Sequence, residues 1–419
     1  GYAPSEIPRQ VLTKNLFGIE LCPRAAQLAQ FALIGKAREH SRSAFRNPIR
    51  PSIACLRNIS ISQEEVGAWM SSTGVSLGME ELKQIHQFRE NIDCLGSLIQ
   101  PVLNAESLTE LRSKVGNPDP FGDAVIEATR KTILLSLDQA EMLSQRYHVA
   151  LANPPYMGRG AMNAELKEFA ETNYKESKSD LFSMFIERNN RFVVPSGINA
   201  MITMQSWMFL SSYEKLRETL LSENYLSTMA HLGPRAFDSI SGEVVQATAF
   251  TFENQQPISS IGSYFRLLDG KNEVGKASKF KEAIRNPCCS WRFKVFQDQL
   301  RKIPGSPLTY WFSQSLLSLF STKALLGDVA FVKSGLSTGD NDRFLRNWCE
   351  VELLKINRNC DSSSGGDSNK KWVPYNKGGT FRKLFGNEDL ILNWGAAGNT
   401  LESTGNAVFR NKIDYFKEG

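Results

Sequence analysis

The segment Asn153-Pro154-Pro155-Tyr156 combines residues that could orient an amino group for reaction. It follows the apolar run from His148 to Ala152, which predicts a buried strand that the two prolines must end. The prolines donate no N–H, so the Asn153 amide is expected over the carboxyl edge of the sheet, where open α/β sheets bind ligands. An amino nitrogen conjugated with a ring is a poor nucleophile. The Asn153 oxygen and a rigid backbone carbonyl can accept its two N–H bonds and stabilise the positive charge that develops on it.

Tyr156 offers a ring face on which a flat base can stack. The alternative for the same residues is a strand followed by a Pro-Pro turn, with Tyr156 as a surface aromatic. The preceding strand and the order of the features that follow favour the functional interpretation.

Two predicted strands precede this segment and could position a cofactor. The run Leu16–Leu21 predicts a strand with Glu20 near its carboxyl end, and Pro23 predicts the first turn of a helix. An acidic residue at the end of the second strand of a nucleotide-binding sheet commonly holds a ribose hydroxyl pair, which makes Glu20 a candidate. A carboxylate that faces the helix dipole is its other interpretation. Ile53–Leu56 predicts a further strand that ends before Asn58.

Apolar residues at spacings of three and four predict that residues 62–146 are mostly helical. After Tyr156, Asp180 opens a predicted helix and is well placed as its N-cap. Ile198–Thr203 and Leu226–His231 predict strands, and residues 244–252 alternate as a hairpin strand should.

Composition allows more than one domain: the chain has 419 residues and 41% hydrophobic content. A formal net charge of +5 is compatible with a nucleic-acid partner without requiring one. The seven cysteines show no Cys-x-x-Cys spacing and there are only four histidines, so we expect reduced thiols and no metal site. No charge-poor apolar run is long enough for a bilayer, and we expect a cytoplasmic protein without membrane contact.

The segment at 153–156 resembles the (Asp/Asn/Ser)-Pro-Pro-(Tyr/Phe/Trp) motif of amino-methyltransferases that use S-adenosylmethionine. The resemblance narrows to the PglX-type adenine methyltransferases of BREX phage-defence systems. It covers most of the chain and rests on residues 3–8 with 15–20, 303–311, and 335–344 with 372–381.

The resemblance implies a site-specific DNA adenine-N6 methyltransferase that binds double-stranded DNA with a flipped adenine, in antiviral defence beside other defence subunits. Asn153, Pro154, Pro155 and Tyr156 would be catalytic, and Tyr156 with Phe237 would stack on the target base. The alternative for Phe237 is a ring that is buried in the protein core. Cofactor contacts would come from the three residues Glu20, Asn58 and Asp180, although related enzymes usually carry Asp at the position of Asn58.

The expected fold is α/β, a Rossmann-like S-adenosylmethionine-dependent methyltransferase sheet in which one late strand runs antiparallel. Residues 1–256 would form this catalytic domain, with a helical insertion at about 62–146. Residues 257–315 would be a connector, and 316–419 would begin a mixed α/β target-recognition domain.

No Asp/Glu-x-x-x-Gly-x-Gly loop, which methyltransferases of this class need for the methionine part of the cofactor, is found in the sequence. We therefore expect a fragment truncated at both ends and inactive alone. The alternatives are a non-catalytic DNA-binding subunit of a defence complex, the methyltransferase part of a restriction–modification fusion, and a glutamine or ribosomal-RNA methyltransferase.

Overall fold

The computed structural model describes residues 2–41, 44–47, 49–116, 122–238, 245–256, 260–331, 333–358, 370–380 and 387–415. Two compact units divide the chain, Gly1–Ser321 and Thr322–Gly419. The strands are β1 Phe17–Glu20, β2 Ser52–Cys55, β3 Tyr147–Ala152, β4 Val193–Met204, β5 Tyr225–Gly233, β6 Ala247–Glu253, β7 Ile261–Arg266, β8 Arg292–Phe296, β9 Leu345–Asn347, β10 Trp372–Tyr375 and β11 Leu390–Asn393. The helices are α1 Ile7–Gln10, α2 Pro23–His40, α3 Gln63–Thr73, α4 Met79–His86, α5 Ile92–Leu95, α6 Ala105–Val115, α7 Ala124–Ser144, α8 Ala164–Asn173, α9 Leu181–Phe192, α10 Glu214–Glu223, α11 Glu273–Arg285, α12 Gln314–Thr322, α13 Leu326–Val329, α14 Asn341–Phe344 and α15 Asn399–Glu402.

The main sheet of the first unit has the strand order β3-β4-β6-β5-β7-β8. Strands β3 and β4 are parallel, as are β5 and β7, whereas β6 runs antiparallel to both β4 and β5. The expected antiparallel strand between parallel strands is therefore confirmed as β6, and the chain belongs to the α/β class. The sheet is not otherwise parallel, however, because the edge strand β8 also runs antiparallel to its neighbour β7. The carboxyl ends of β3, β4, β5 and β7 meet at one edge of this sheet.

A separate parallel pair, β1 and β2, lies beside this sheet. The rings of Phe17 on β1 and Tyr147 on β3 contact each other, with centroids 5.4 Å apart. Within the described ranges β3 pairs with β4 alone, and its side chains Val149 and Leu151 are 56% and 82% exposed. The prediction of a buried strand here is therefore wrong: Val149 and Leu151 project from the same face of an edge strand, and no described residue covers that face.

Residues 62–146, predicted as a helical insertion, carry helices α3 to α7. The side chain of Asp123 caps α7 by accepting hydrogen bonds from the Val125 and Ile126 amides. Helix α7 buries Ile133, Leu137 and Ala140 in a core shared with α3, α4 and α6. This helix leads directly into β3, so the insertion helps to set the position of the Asn153 segment.

The segment 257–315, whose composition predicts only a connector, adds β7, α11 and β8 to the first unit. Tyr264 on β7 is fully buried, and Tyr310 stacks on it with ring centroids 5.3 Å apart. These strands were missed because their sequences are short and interrupted by glycine, serine and charged residues, and packing against β5 compensates for weak local preference. The limits of the predicted domains remain predictions.

The second unit contains the antiparallel sheet β10-β11-β9, packed on a small core around Phe344, Trp394 and Leu401. The apolar run 329–332 favours a strand by its sequence, but no strand is observed in its described residues. Val329 instead ends the single turn α13, which Asp328 caps by accepting from the Leu325 amide at 2.8 Å. The capped turn is favoured over a strand because the side chains of Val329 and Phe331 are exposed, so no burial of these side chains stabilises a strand. Most of the polar, glycine- and serine-rich stretch 359–371 lies outside the described residues.

The helices of the described chain include none that is both long and apolar enough to span a membrane.

Candidate active site

Asn153 directly follows the last residue of β3, at the carboxyl edge of the main sheet. Its side chain is exposed, while Pro154 is buried and anchors the turn. Among the described residues, the Asn153 amide makes no side-chain hydrogen bond. The chain therefore presents a carboxamide at the strand end without using it to stabilise the fold.

Tyr156 lies half-buried behind Asn153. Its ring packs edge-on against Phe182 of α9, with centroids 6.0 Å apart and planes inclined by 83°. Burial, and the neighbouring carboxylate of Asp180 as a smaller cause, raise the pKa of the Tyr156 hydroxyl. The edge contact fixes the plane of the ring, and the raised pKa keeps the hydroxyl protonated at neutral pH.

Asp180 connects the segment after Tyr156 to helix α9. Its carboxylate accepts hydrogen bonds from the amides of Phe182 at 3.2 Å and Met157 at 3.0 Å, and the Leu181 amide binds the Met157 carbonyl at 3.0 Å. Burial raises the pKa of the Asp180 carboxyl, and the backbone hydrogen bonds oppose that increase. Asp180 is thus the N-cap that the sequence predicts, and it also positions the loop after Tyr156. Its contact with a cofactor remains a prediction.

Phe237 lies in the loop between β5 and β6, residues 234–246, which we call the Phe237 loop. The loop begins at the same carboxyl edge as Asn153, because β5 and β3 both end there. The Phe237 side chain is partly exposed, and residues 239–244 lie outside the described part. No ring contact joins Phe237 to Tyr156 within the described residues, so the stacking role of Phe237 stays a prediction.

Glu20 ends β1, as predicted, and one oxygen of its carboxylate serves its own turn. Oε1 accepts hydrogen bonds from the amides of Leu21 at 2.8 Å and Cys22 at 3.0 Å, next to the first turn of α2. The other oxygen, Oε2, has no partner in the part of the chain that the structure describes. Oε1 of Glu20 therefore has the alternative role at the start of α2, and Oε2 is available to a ligand.

Asn58 lies two residues beyond Leu56, whose amide donates to the Glu20 backbone carbonyl at 2.8 Å. The Asn58 side chain holds a second segment in place. Its Oδ1 accepts from the Ile92 amide at 3.0 Å, and its Nδ2 donates to Asp93 at 3.2 Å. The exposed Asp93 carboxylate therefore lies at the end of β2, close to where a free Asn58 was predicted to act. Sequence reasoning missed Asp93 because 35 residues separate it from Asn58.

Leu21 reinforces this arrangement. Gly96, which has φ +50°, lies so close that a Cβ at this position would be 2.9 Å from a methyl carbon of Leu21. Close packing of Gly96 on Leu21 brings the turn that carries Asp93 against the end of β1. Glu20, Asn58 and Asp93 thus form one polar group at the ends of β1 and β2.

One cavity of about 480 Å³ lies along the outer side of β2, between Ile53, Cys55 and Arg57 and the α7 residues Leu135 and Gln139. It includes none of the predicted site residues. Within the described residues, no group of three or more His, Cys, Asp or Glu side chains is arranged to hold a metal ion.

Comparison with known proteins places these features in a family. A model described as Eco57I restriction-modification methylase matches residues 14–237. The whole chain is 36% identical over 443 residues to the adenine-specific methyltransferase BrxX of Escherichia coli O9:H4 (strain HS). It is 34% identical over 415 residues, 96% of the chain, to the adenine-specific methyltransferase PglX of Lacticaseibacillus casei (strain Zhang). The chain spans about a third of the length of these curated relatives, 35% and 34% respectively.

Among solved structures, the chain is similar to a nuclease-deletion mutant of the Type ISP restriction-modification enzyme LlaGI in complex with a DNA substrate mimic. The TM-score is 0.43 at 13% identity, over 83% of this chain and 25% of that one. A second similar structure is the ATP-dependent Type ISP restriction-modification enzyme LlaBIII bound to DNA, with a TM-score of 0.42 at 13% identity, over 82% and 21%.

The matched range holds the Asn-Pro-Pro-Tyr segment, the polar group at the ends of β1 and β2, and Phe237. Because the family match spans more than half of the sequence, this chain belongs to the Eco57I restriction-modification methylase family.

Proposed function

We propose that the protein containing this chain is a site-specific DNA adenine-N6 methyltransferase that uses S-adenosylmethionine and marks host DNA in phage defence. The observation that carries the proposal is the exposed Asn153 carboxamide, which follows β3 at the sheet edge with the half-buried Tyr156 ring behind it. The adenine-specific names of both curated relatives agree with it.

In this proposal the target adenine leaves the duplex and enters the carboxyl edge of the sheet. Asn153 Oδ1 and the Pro154 carbonyl accept the two N–H bonds of the exocyclic amine, which orients its nitrogen for in-line attack. The same acceptors stabilise positive charge on the nitrogen as the methyl group transfers, and the nitrogen then loses one proton to solvent. Tyr156 and Phe237 stack on the two faces of the base. Pro155, exposed beside them, keeps the turn rigid.

S-adenosylmethionine would supply an electrophilic methyl group on sulfur. The hydrogen-bond acceptors at the ends of β1 and β2 suit the adenosine part of this cofactor. Glu20 Oε2 suits a ribose hydroxyl pair, and the Asp93 carboxylate, oriented by Asn58, suits an adenine amino group. Asp180 would act by fixing the loop at Met157. The sequence offers no glycine-rich loop for the methionine part, so we propose that the protein supplies that loop from outside residues 1–419.

The partner in this proposal is double-stranded DNA, which the second unit, residues 322–419, would help to recognise. Because the substrate is cellular DNA, the proposed place of action is the cytoplasm. Other phage-defence subunits are proposed partners on the strength of the PglX-type resemblance.

The test is to replace Asn153 by alanine in the full-length protein and to sequence modified bases in cells that carry the gene. We expect N6-methyladenine at one sequence context with the wild type. Asn153→Ala should lower methyl transfer roughly 100- to 1,000-fold, since losing one oriented group of this kind costs about 2.7–4 kcal/mol. Binding of S-adenosylmethionine should be nearly unchanged, because the acceptor serves the target amine.

Asn173→Ala is the matched control, since Asn173 is exposed on α8 and its side chain binds only the Phe169 carbonyl at 3.0 Å. Its activity should equal that of the wild type. Activity of Asn153→Ala within about tenfold of the wild type would remove Asn153 from the mechanism, because one lost acceptor is worth more than that. N4-methylcytosine in place of N6-methyladenine would overturn the choice of base, and an absence of methylation by the intact protein would favour the non-catalytic DNA-binding subunit.

A further inference from the structure

A cavity of about 340 Å³ lies at the carboxyl edge of the main sheet, between the turn after β5 and the turn after β7. None of its lining residues takes part in the proposed reaction. All of them belong to the described part of the chain: Pro234, Arg235, Gln246, Leu268, Asp269, Gly270 and Lys271. At about 30 Å³ per water molecule, the cavity has room for a hydrated phosphate group.

Two cations and one carboxylate line this cavity. The side chains of Arg235 and Lys271 are exposed, and Lys271 makes no hydrogen bond or ion pair within the described residues. The carboxylate of Asp269 has another partner, because it lies 3.7 Å from the Lys279 ammonium. Lys271 thus brings to the cavity a positive charge that no described carboxylate pairs with.

A buried ammonium joins the two turns that form the cavity. Lys276 on α11 is 3% exposed, and its Nζ donates to the Leu232 carbonyl at 2.6 Å and to the Leu267 carbonyl at 3.0 Å. Gly270 packs directly on this side chain, since a Cβ at Gly270 would lie 2.5 Å from Lys276 Cγ. Lys276 is not a lining residue, so it would act on a ligand through its charge.

Lys276 and Arg235 repel each other electrostatically. Burial lowers the pKa of the Lys276 ammonium, the Asp269 carboxylate opposes this decrease, and Arg235 is a smaller cause that adds to it. Asp238 lies outside the lining, and its carboxylate accepts from the Glu273 amide at 3.2 Å, at the start of α11. An anion in the cavity would relieve the repulsion between the two cations.

We infer that this cavity binds one phosphate of the DNA backbone, held by charge-assisted hydrogen bonds from Lys271 and Arg235. The inference rests on the proposed function, because it takes DNA as the partner. Neighbouring strands lie about 4.7–4.9 Å apart, so the ends of β5 and β7 lie roughly 14–20 Å along the edge from the end of β3. At about 3.4 Å per nucleotide, a duplex along this edge would bring to the cavity a phosphate about four to six base pairs from the flipped base. Such a contact fixes the duplex relative to Asn153 and carries no sequence information.

The experiment measures how the full-length protein binds the duplex that it methylates, over a range of salt concentrations. Lys271→Gln removes the charge and keeps a polar side chain. We expect the slope of log K against log salt concentration to become shallower by about 0.9, the value for one phosphate contact. Because the effect of one contact disappears near 1 M salt, the affinity at 0.1 M salt should fall about eightfold. A duplex of unrelated sequence should lose the same factor.

A second set of duplexes replaces one backbone phosphate at a time by a neutral methylphosphonate. With the wild type, one replacement about four to six base pairs from the methylated adenine should weaken binding about eightfold. With Lys271→Gln and with Arg235→Gln, the same duplex should bind within about twofold of the unmodified one, since the two changes remove one shared contact.

Lys281→Gln is the matched control, because Lys281 is an exposed lysine further along α11. It removes the same charge and should keep the wild-type salt slope and the wild-type response to each methylphosphonate. A thermal melt of each variant detects a loss of folding.

An unchanged salt slope in Lys271→Gln would overturn the phosphate site, as would methylphosphonate effects that are equal in the wild type and both variants at every position. Inorganic phosphate that binds the wild type but not Lys271→Gln at constant ionic strength, with no methylphosphonate effect, would assign the cavity to a free anion instead. A protein that shows the expected binding effects but transfers no methyl group would refute the proposed function and leave the phosphate site standing. A protein that binds no DNA would refute both.

Discussion

At the scale of single residues, the candidate site separates groups that the fold uses from groups that it leaves available. Asp180 and Asn58 are engaged in holding neighbouring backbone, through the Met157 and Ile92 amides. Asn153 and one oxygen of Glu20 have no such task within the described residues. Residues of the first kind position the site, and we expect those of the second kind to contact the substrate and the cofactor.

Tyr156 allows a prediction at this scale. Tyr156→Ala should lower methyl transfer by a factor that corresponds to roughly 1–3 kcal/mol of base–aromatic stacking. Tyr156→Phe should stay close to the wild type, because it keeps the ring and its edge contact with Phe182 and loses only a protonated hydroxyl. Single-turnover rates of the full-length variants on the methylated duplex are the measurement.

A thermal melt of both Tyr156 variants controls for the packing against Phe182 and its buried neighbours that alanine removes. Equal damage from Phe and Ala would show that the hydroxyl, and not the ring face, is what matters at position 156.

At the scale of elements, the carboxyl edge of the main sheet combines the strand end that carries Asn153 with a group of hydrogen-bonded polar side chains. Strand β3 leads to Asn153, while Gln205 directly after β4, His231 on β5 and Gln246 just before β6 are joined by hydrogen bonds. The antiparallel insertion of β6 makes this possible, because it places Gln246 next to the end of β4. Gln205 therefore contacts one residue before the Phe237 loop, His231, and the last residue of that loop, Gln246.

Buried His231 gives β5 a defined pH response. Its pKa in the folded protein, about 4, lies below its ordinary value of 6.5, so folding favours the neutral ring. The stability that this contributes is present above pH 6.5 and is lost as the pH falls through 4. The difference corresponds to roughly 3 kcal/mol of unfolding free energy. Denaturant unfolding of the wild type should therefore require less denaturant at pH 4.5 than at pH 7.

His231→Gln should lose part of that acid sensitivity, because glutamine has no proton to bind. His148→Gln is the matched control, since His148 is exposed on β3, and it should keep the wild-type dependence. Parallel pH curves for the wild type and His231→Gln would contradict the role of His231.

At the scale of the whole molecule, the described chain divides into two units, and in the first unit the strand pair β1–β2 approaches β3, which is an edge strand of the main sheet. Strands β1 and β3 approach through the Phe17 and Tyr147 rings, yet within the described residues neither has the other as a sheet partner. The exposed apolar side chains Val149 and Leu151 line that edge. Within the described residues, this edge of β3 has no strand partner and could pair with a further strand.

The polypeptide of residues 1–419 should therefore bind S-adenosylmethionine only weakly. Glu20, Asn58 and Asp93 offer contacts to adenosine, whereas nothing in the sequence matches the loop that holds the methionine part. Calorimetric titration of this polypeptide, with the full-length protein as the comparison, measures the difference. Micromolar binding by residues 1–419 would show that the methionine part is held by residues that we have not identified.

The sequence alone determined the features that depend on neighbouring residues. Two prolines end β3 and expose Asn153, Pro23 starts α2 just after Glu20, and the alternating run before Glu253 forms the antiparallel strand β6. These outcomes follow from backbone sterics and local periodicity, which a sequence displays directly.

Only the tertiary structure decided which distant residues meet. Asp93 reaches Asn58 across 35 residues, and Tyr310 reaches His231 across 79, in a segment whose composition predicts a connector. Their polar atoms are satisfied by partners that the folded sheet brings together, and no local pattern in the chain records such pairings. The place of the Asn153 segment at a strand end could therefore be predicted from sequence, whereas the residues that hold its surroundings in place could not.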